Sequence, residues 1–192
     1  MKTAISIVLL VAAAAALVTA IVIPTRTGHP VTSVMSTSAD AAAGHAVRPL
    51  PGITAPRLMV VVFILPGCPC SEAYEAYTQE LFHAYGTQAM IVGVVDGTQA
   101  DTDEWSRQHQ TPFPLIADVD CSIAKDYQAN RSAYTALVTD GQTINRLWPG
   151  YSAGMLHELS ALLAADTKIA DPQPAFANAP EALTSGCMLN VE

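Results

Sequence analysis

Clusters of basic residues are missing from this sequence. Nine Lys and Arg stand against seventeen Asp and Glu, giving a formal net charge of −8. Arg107, Lys125, Arg131 and Arg146 are scattered rather than grouped. Binding nucleic acid requires a basic footprint that neutralises phosphates, so no nucleic-acid partner is expected. A second long apolar run is missing as well, which excludes a multi-span membrane protein. No internal repeat is present. What remains is 192 residues, about half of them hydrophobic, enough for one domain of ordinary size with chain left over.

Part of the apolar excess sits in one place. Ala4 to Ile23 is twenty residues without a charge. At ~1.5 Å of rise per residue, a helix of that length just crosses a hydrocarbon core of ~30 Å. Lys2 precedes it, favouring an N-terminus left in the cytoplasm. Val18-Thr19-Ala20 offers the alternative of a cleaved signal peptide, but the apolar Ile21-Val22-Ile23 beyond that cut favours an anchor over residues 1–23. Both readings place the rest of the chain on the outer side of the cytoplasmic membrane. In that oxidising compartment Cys68, Cys70, Cys121 and Cys187 are free to form or exchange disulfides.

Residues 24–56, rich in Pro, Thr, Ser, Gly and Ala, read as a flexible linker. The composition changes at Arg57. Leu58 to Leu65 is a continuous apolar, β-branched run, as suits a strand buried on both faces. Tyr74, Tyr77, Leu81 and Tyr85 then recur at helical spacing, with Gly86 as a stop. Met90 to Val95 predicts a second strand, and Thr98 with Asp101 a capping box opening a helix to about Gln108. Phe113 to Ile116 reads as a short extended piece and Ile123 to Tyr127 as a helical turn. Tyr134–Val138 and Thr143–Leu147 flank Asp140-Gly141, a hairpin signal. Met155, Leu156, Leu159, Leu162 and Leu163 predict a last amphipathic helix. A βαβ unit followed by a hairpin and a helix gives an α/β domain over residues 57–166, with a mixed central sheet flanked by helices. Residues 167–192 read as an irregular tail.

The chemistry points to Cys68-Pro69-Cys70. Cys68 follows a buried strand and a Pro-Gly turn and opens a helix, with Pro69 at home in its first turn. A thiol there faces unpaired N–H groups and the positive end of the helix dipole, both of which favour thiolate. Glu72, one turn on, opposes this. A bridge from Cys68 to Cys70 closes a small, strained ring that is easily reduced. On that expectation Cys70 resolves Cys68, and Cys121 and Cys187 are candidates for an additional disulfide, Cys187 being tied to Cys121 or left free. His83 and His109 read as solvated, Asp118 and Asp120 as turn or cap residues, and Trp105 and Trp148 as packing.

The stretch Phe63-Ile-Leu-Pro-Gly-Cys68-Pro-Cys-Ser71 resembles the strand-to-helix active site of the thioredoxin-like redoxin superfamily. Phe113-Pro-Leu-Ile-Ala-Asp118, Ala124-Lys-Asp-Tyr127 and Ala136-Leu-Val-Thr-Asp-Gly141 resemble later segments of the same superfamily, so the likeness spans about Arg57 to Ala165. It implies a thioredoxin-like fold and a nucleophilic role for Cys68. The sequence departs from the usual pattern in having Ser71 where the second cysteine commonly stands and Gly67 before the nucleophile. Ala133 or Tyr134 replaces the cis-proline. Leu65 stands where peroxiredoxins carry Thr or Ser, and no His lies near Tyr134 as it does in related copper carriers. The expected function is an exported thiol–disulfide oxidoreductase acting on protein thiols or disulfides of the cell envelope. No organic cofactor and no metal are implied, because the sulfurs perform the chemistry. The alternatives are a redox-inactive or copper- or zinc-binding assembly protein on the same fold, or a peroxiredoxin-like peroxidase.

Overall fold

The computed structural model describes residues 28–54, 56–140 and 142–191. The apolar run at 4–23 lies outside them, and among the described residues no helix is long and apolar enough to cross a membrane.

The β-branched run forms strand β2 (Leu58–Ile64), in which every residue is buried. Its alternation splits the core. Leu58, Val60, Val62 and Ile64 face one hydrophobic cluster, while Met59, Val61 and Phe63 face the other. Both faces are therefore covered, as a continuous apolar strand demands. Strand β1 (His29–Pro30) precedes it in the chain. Strand β3 (Met90–Val95) pairs with β2 in parallel, and β4 (Leu115–Ala117) with β3 in parallel. On the other side β5 (Thr135–Thr139) runs antiparallel to β2, and β6 (Thr143–Trp148) antiparallel to β5. The sheet order is β4-β3-β2-β5-β6, the expected mixed sheet.

The helices form where their signals stand. Helix α1 (Ser33–Ala41) comes first, and α2 (Pro69–Tyr85) carries the tyrosine stripe, burying Tyr74, Leu81 and Tyr85 before Gly86. Helix α3 (Gln99–His109) opens on the capping box: Thr98 N–H donates to Asp101, and Asp101 N–H to Thr98 Oγ1. The short α4 (Ser122–Asp126) and the long α5 (Ala153–Thr167) follow. Tyr74, Tyr85, Leu159 and Leu163, from α2 and α5, fill one cluster; Ala39 of α1 and Ala124 of α4 fill the other.

Two expectations need correction. The segment read as a flexible linker over 24–56 is built into the domain from residue 28 onward. Thr32 caps α1 by accepting from Met35 N–H, and Met35, Ala39 and Ala42, spaced i, i+4 and i+7, pack against the second cluster. The chain then runs antiparallel beside β6: Gly44 N–H donates to Ile144 O, Ile144 N–H to His45 O, and Val47 N–H to Gln142 O. It thereby covers an edge that would otherwise present unpaired backbone groups. The irregular tail is also ordered by pairing. Strand β7 (Thr184–Ser185) lies antiparallel to β1, and Leu189 is buried. Alanine-rich and Pro-rich compositions concealed both segments because their order comes from docking on the sheet, with little periodicity of their own.

Candidate active site

Cys68 is the residue before α2, in extended conformation, with Pro69 in the first helical turn. Its sulfur is buried at the carboxyl end of β2, and Gly67 makes the preceding turn at φ +76°. The tail crosses this point. Ser132 N–H donates to Cys187 O at 2.9 Å, Gly186 N–H to Ser132 O at 3.0 Å, and Leu189 N–H to Asn130 O at 3.0 Å. This ladder lays residues 186–189 on the loop that enters β5 and brings Cys187 Sγ to 3.0 Å from Cys68 Sγ. All four cysteines are free thiols.

The electrostatics single out Cys68. Burial works against its thiolate, but donors outweigh burial: the thiol of Cys187, the hydroxyl of Ser132 at 3.3 Å, and the backbone N–H groups of Cys187 at 3.3 Å and of Ser71. The net result is a pKa lowered to about 6. Cys187 is pushed the other way, by its bond to Cys68, by burial and by the Cys68 charge, against a small opposing effect of Arg131. With Cys68 ionised, the remaining proton sits on Cys187 and points at the thiolate.

Cys70 is in a different situation. Burial, then the charges of Cys68 and Cys187, push it up to about 11. Its thiol donates to Ser185 O at 3.5 Å, beneath Gly28, where a Cβ would come within 2.9 Å of the sulfur. Strand β1 thus roofs Cys70 as a neutral thiol.

The expected link between Cys187 and Cys121 is corrected here. Cys121 is fully buried within the second cluster. Burial and the carboxylates of Asp96 and Asp118 push its thiol up to about 11. Cys187 instead belongs with Cys68 and Cys70, a three-thiol site assembled from the start of α2 and the tail. Asp118 performs the capping role expected of it, accepting from Ile123 and Ala124 N–H. Trp105 and Trp148 are buried in packing positions. Among the described residues, no three His, Cys, Asp or Glu are arranged to hold a metal ion.

The sequence reading missed Ser132, Arg131 and Gly186. Ser132 is fully buried and serves the site twice, by its hydroxyl to Cys68 and by its backbone to the tail. Arg131 holds the tail through Gly186 O at 3.0 Å. Gly186 has no side chain because a Cβ there would fall 2.0 Å from Ser132 Oγ. The available signal was Gly186 beside Cys187 in an otherwise Pro- and Ala-rich tail.

Residues 55–146 match the AhpC/TSA family. No curated protein matches the sequence. Among solved structures, a thioredoxin-like protein in its oxidised form is 14% identical, with a TM-score of 0.53 over 74% of this chain and 99% of that one. A putative thiol:disulfide interchange protein DsbE from Chlorobium tepidum is 14% identical, with a TM-score of 0.54 over 67% and 96%. Peroxiredoxin Q from Xanthomonas campestris is 18% identical, with a TM-score of 0.51 over 66% and 82%. At these identities the likeness is one of fold, and the fold is thioredoxin-like.

Proposed function

We propose that this chain, a member of the thioredoxin-like redoxin superfamily, is a thiol–disulfide oxidoreductase in which Cys68 attacks and Cys187 resolves. The observation that carries this reading is the 3.0 Å between the two sulfurs, with Cys68 held near 6 and Cys187 held up as its proton donor.

The arrangement supports a two-step exchange. The Cys68 thiolate attacks one sulfur of a partner's disulfide; a Cys68–partner bond forms, and the partner's other sulfur leaves as thiolate and takes a proton. Cys68 then carries no charge. Both effects of Cys68 that raised Cys187 disappear at that moment, and Arg131 is left to favour its ionisation. The resolving thiol is thus released for attack once it is needed. Cys187 thiolate attacks Cys68 Sγ, the Cys68–Cys187 bond forms, and the partner leaves as a dithiol, two electrons richer. The two sulfurs need to approach by only about 1 Å to reach bonding distance. Run in reverse, the same steps oxidise a dithiol partner.

In this scheme Cys187 takes the role expected of Cys70, which stays protonated as a neutral neighbour under Gly28. The partners are protein thiols or disulfides. The uncharged run at 4–23 supports placing them in the cell envelope. Peptide mapping of the oxidised protein tests the reading: it should yield Cys68 linked to Cys187, and Cys187→Ser should accumulate mixed disulfides through Cys68. A Cys68–Cys70 bridge with Cys187 left as a thiol would overturn it.

A further inference from the structure

The tail that carries Cys187 is pegged at a point the chemistry above does not use. Asp96 directly follows β3 and is 9% exposed. In the structure its carboxylate takes three bonds from one tail residue: Asn190 N–H to Oδ2 at 2.8 Å, and Asn190 Nδ2 to Oδ2 at 3.1 Å and to Oδ1 at 3.2 Å. Cys121 faces the same carboxylate from below. Leu189, next to the peg, is buried. Asn190 lies three residues beyond Cys187, and the tail between them is extended and paired residue by residue with Asn130–Ser132.

An extended strand alternates its side chains, so a slip of one residue turns every one of them to the opposite face. The backbone ladder alone tolerates such a slip, since its donors and acceptors repeat along the chain. Met188, beside Cys187, is 54% exposed; a one-residue slip would exchange it with the cysteine. The side chain of Asn190 has no equivalent neighbour in the tail: Val191 and Leu189 flank it, and neither can donate through its side chain to a carboxylate.

We propose that Asp96 is a positioning residue for the redox centre: through Asn190 it fixes the register of the tail and so presents Cys187, rather than its neighbours, to Cys68. This rests on the reading of Cys187 as the resolving thiol. Asp96 touches neither reacting sulfur. It raises the effective concentration of one at the other, as a linker of fixed length does, and it sustains the donors that keep Cys68 ionised.

The test uses the full chain and glutathione as probe. Equilibrium with reduced and oxidised glutathione gives the effective concentration of Cys187 at Cys68, and iodoacetamide alkylation against pH gives the Cys68 midpoint. Asn190→Ala should lower the effective concentration about tenfold and move the midpoint upward from about 6. The exchanged pair Asp96→Asn with Asn190→Asp restores a side-chain donor facing a carboxylate and should recover most of both. An effective concentration in Asn190→Ala within twofold of the parent overturns the proposal. A loss that the exchanged pair leaves unrepaired also overturns it, since Asp96 would then serve only the fold. If the parent protein itself forms no Cys68–Cys187 bridge, the functional reading fails, and the positioning role fails with it. A bridge that forms equally well in parent and Asn190→Ala sinks the positioning role alone.

Discussion

The hydroxyl of Ser132 donates to the sulfur of Cys68 across 3.3 Å while its own backbone holds Cys187 in place. One residue therefore both stabilises the attacking thiolate and seats the thiol that follows it. A hydrogen bond to a charged group contributes about 1.5–3 kcal/mol, and one pKa unit corresponds to ~1.4 kcal/mol. Ser132→Ala should raise the Cys68 midpoint by about one unit from about 6, slowing its alkylation about twofold at pH 7 and nearly tenfold at pH 5. The backbone ladder to the tail is retained, so the Cys68–Cys187 bridge should still form. Alkylation with iodoacetamide across pH 5–9 measures the first effect, and an unmoved midpoint would remove Ser132 from the site.

The acidity of Cys68 also has a sign in stability. Its folded pKa, about 6, lies below the ordinary 9.0. The reduced protein should therefore gain stability as pH rises from about 6 to 9 and lose it as pH falls back through 6. Cys70 and Cys121 shift upward, to about 11, and their contribution is complete below pH 9, lost only towards pH 11. The carboxylates of Asp101, Asp120 and Asp171 are shifted down from an already acidic value and lie outside this window. Urea midpoints of the reduced protein should climb between pH 6 and 8.5, and Cys68→Ser should flatten that climb. A climb equally steep in Cys68→Ser would assign it to other groups.

The order of elements was legible because β2 and β3 are continuous apolar runs and α2 carries a stripe at helical spacing. The strand-turn-helix setting of Cys68 was legible from its punctuation: Pro66-Gly67 and Pro69 fix the backbone on either side of it. What the sequence concealed was the role of long-range pairing. Cys70 is two residues from Cys68 in the chain, yet burial and the charges of Cys68 and Cys187 keep it a neutral thiol, with Gly28, forty-two residues earlier, packed over its sulfur. Cys187 reads as isolated in a Pro- and Ala-rich tail, yet the backbone of Ser132 brings it to the site. Ser132 and Asp96 carry no motif, since a serine in a loop and an aspartate before a glycine are ordinary turn chemistry. Their use appears only when the strand they receive is known.

The neutral state of Cys70 gives a contrast with Cys187. Cys70→Ser keeps the size of the side chain and its donor to Ser185 O, and removes the sulfur. It should leave mixed-disulfide resolution within about twofold of the parent, whereas Cys187→Ser should slow it by two orders of magnitude or more. Single-turnover mixing with a peptide disulfide, quenched by acid and resolved by mass, gives both rates. Equal slowing in the two variants would show a relay through all three thiols.

The uncharged run at 4–23 predicts that the domain works outside the cytoplasmic membrane. Alkaline phosphatase fused after Pro56 should be active, because that enzyme requires oxidising conditions. An inactive fusion, beside an active cytoplasmic reporter at the same position, would place the thiols in a reducing compartment and make Cys68–Cys187 a transient bridge only.

Gly186 offers the most direct way to lift the tail without touching a sulfur. A Cβ at this position would lie 2.0 Å from Ser132 Oγ and 2.7 Å from Ser132 O, and the second of these is backbone of the loop that enters β5. Ser132 is fully buried, so it has nowhere to retreat, and the tail must move instead. Gly186→Ala should therefore separate Cys187 from Cys68, raise the Cys68 midpoint as the donors of residue 187 are lost, and slow bridge formation at least tenfold. Gly154→Ala is the control: it sits in α5, its new Cβ would meet nothing closer than Ser152 Oγ at 3.9 Å, and alanine favours a helix by up to about 1 kcal/mol over glycine. That variant should keep parental redox behaviour and melt no lower than the parent. Far-ultraviolet circular dichroism distinguishes a displaced tail from a lost fold, since the tail contributes only the two-residue strand β7. A Gly186→Ala protein with a parental spectrum and a parental rate of bridge formation would mean that Cys187 reaches Cys68 by a path other than the ladder on Ser132.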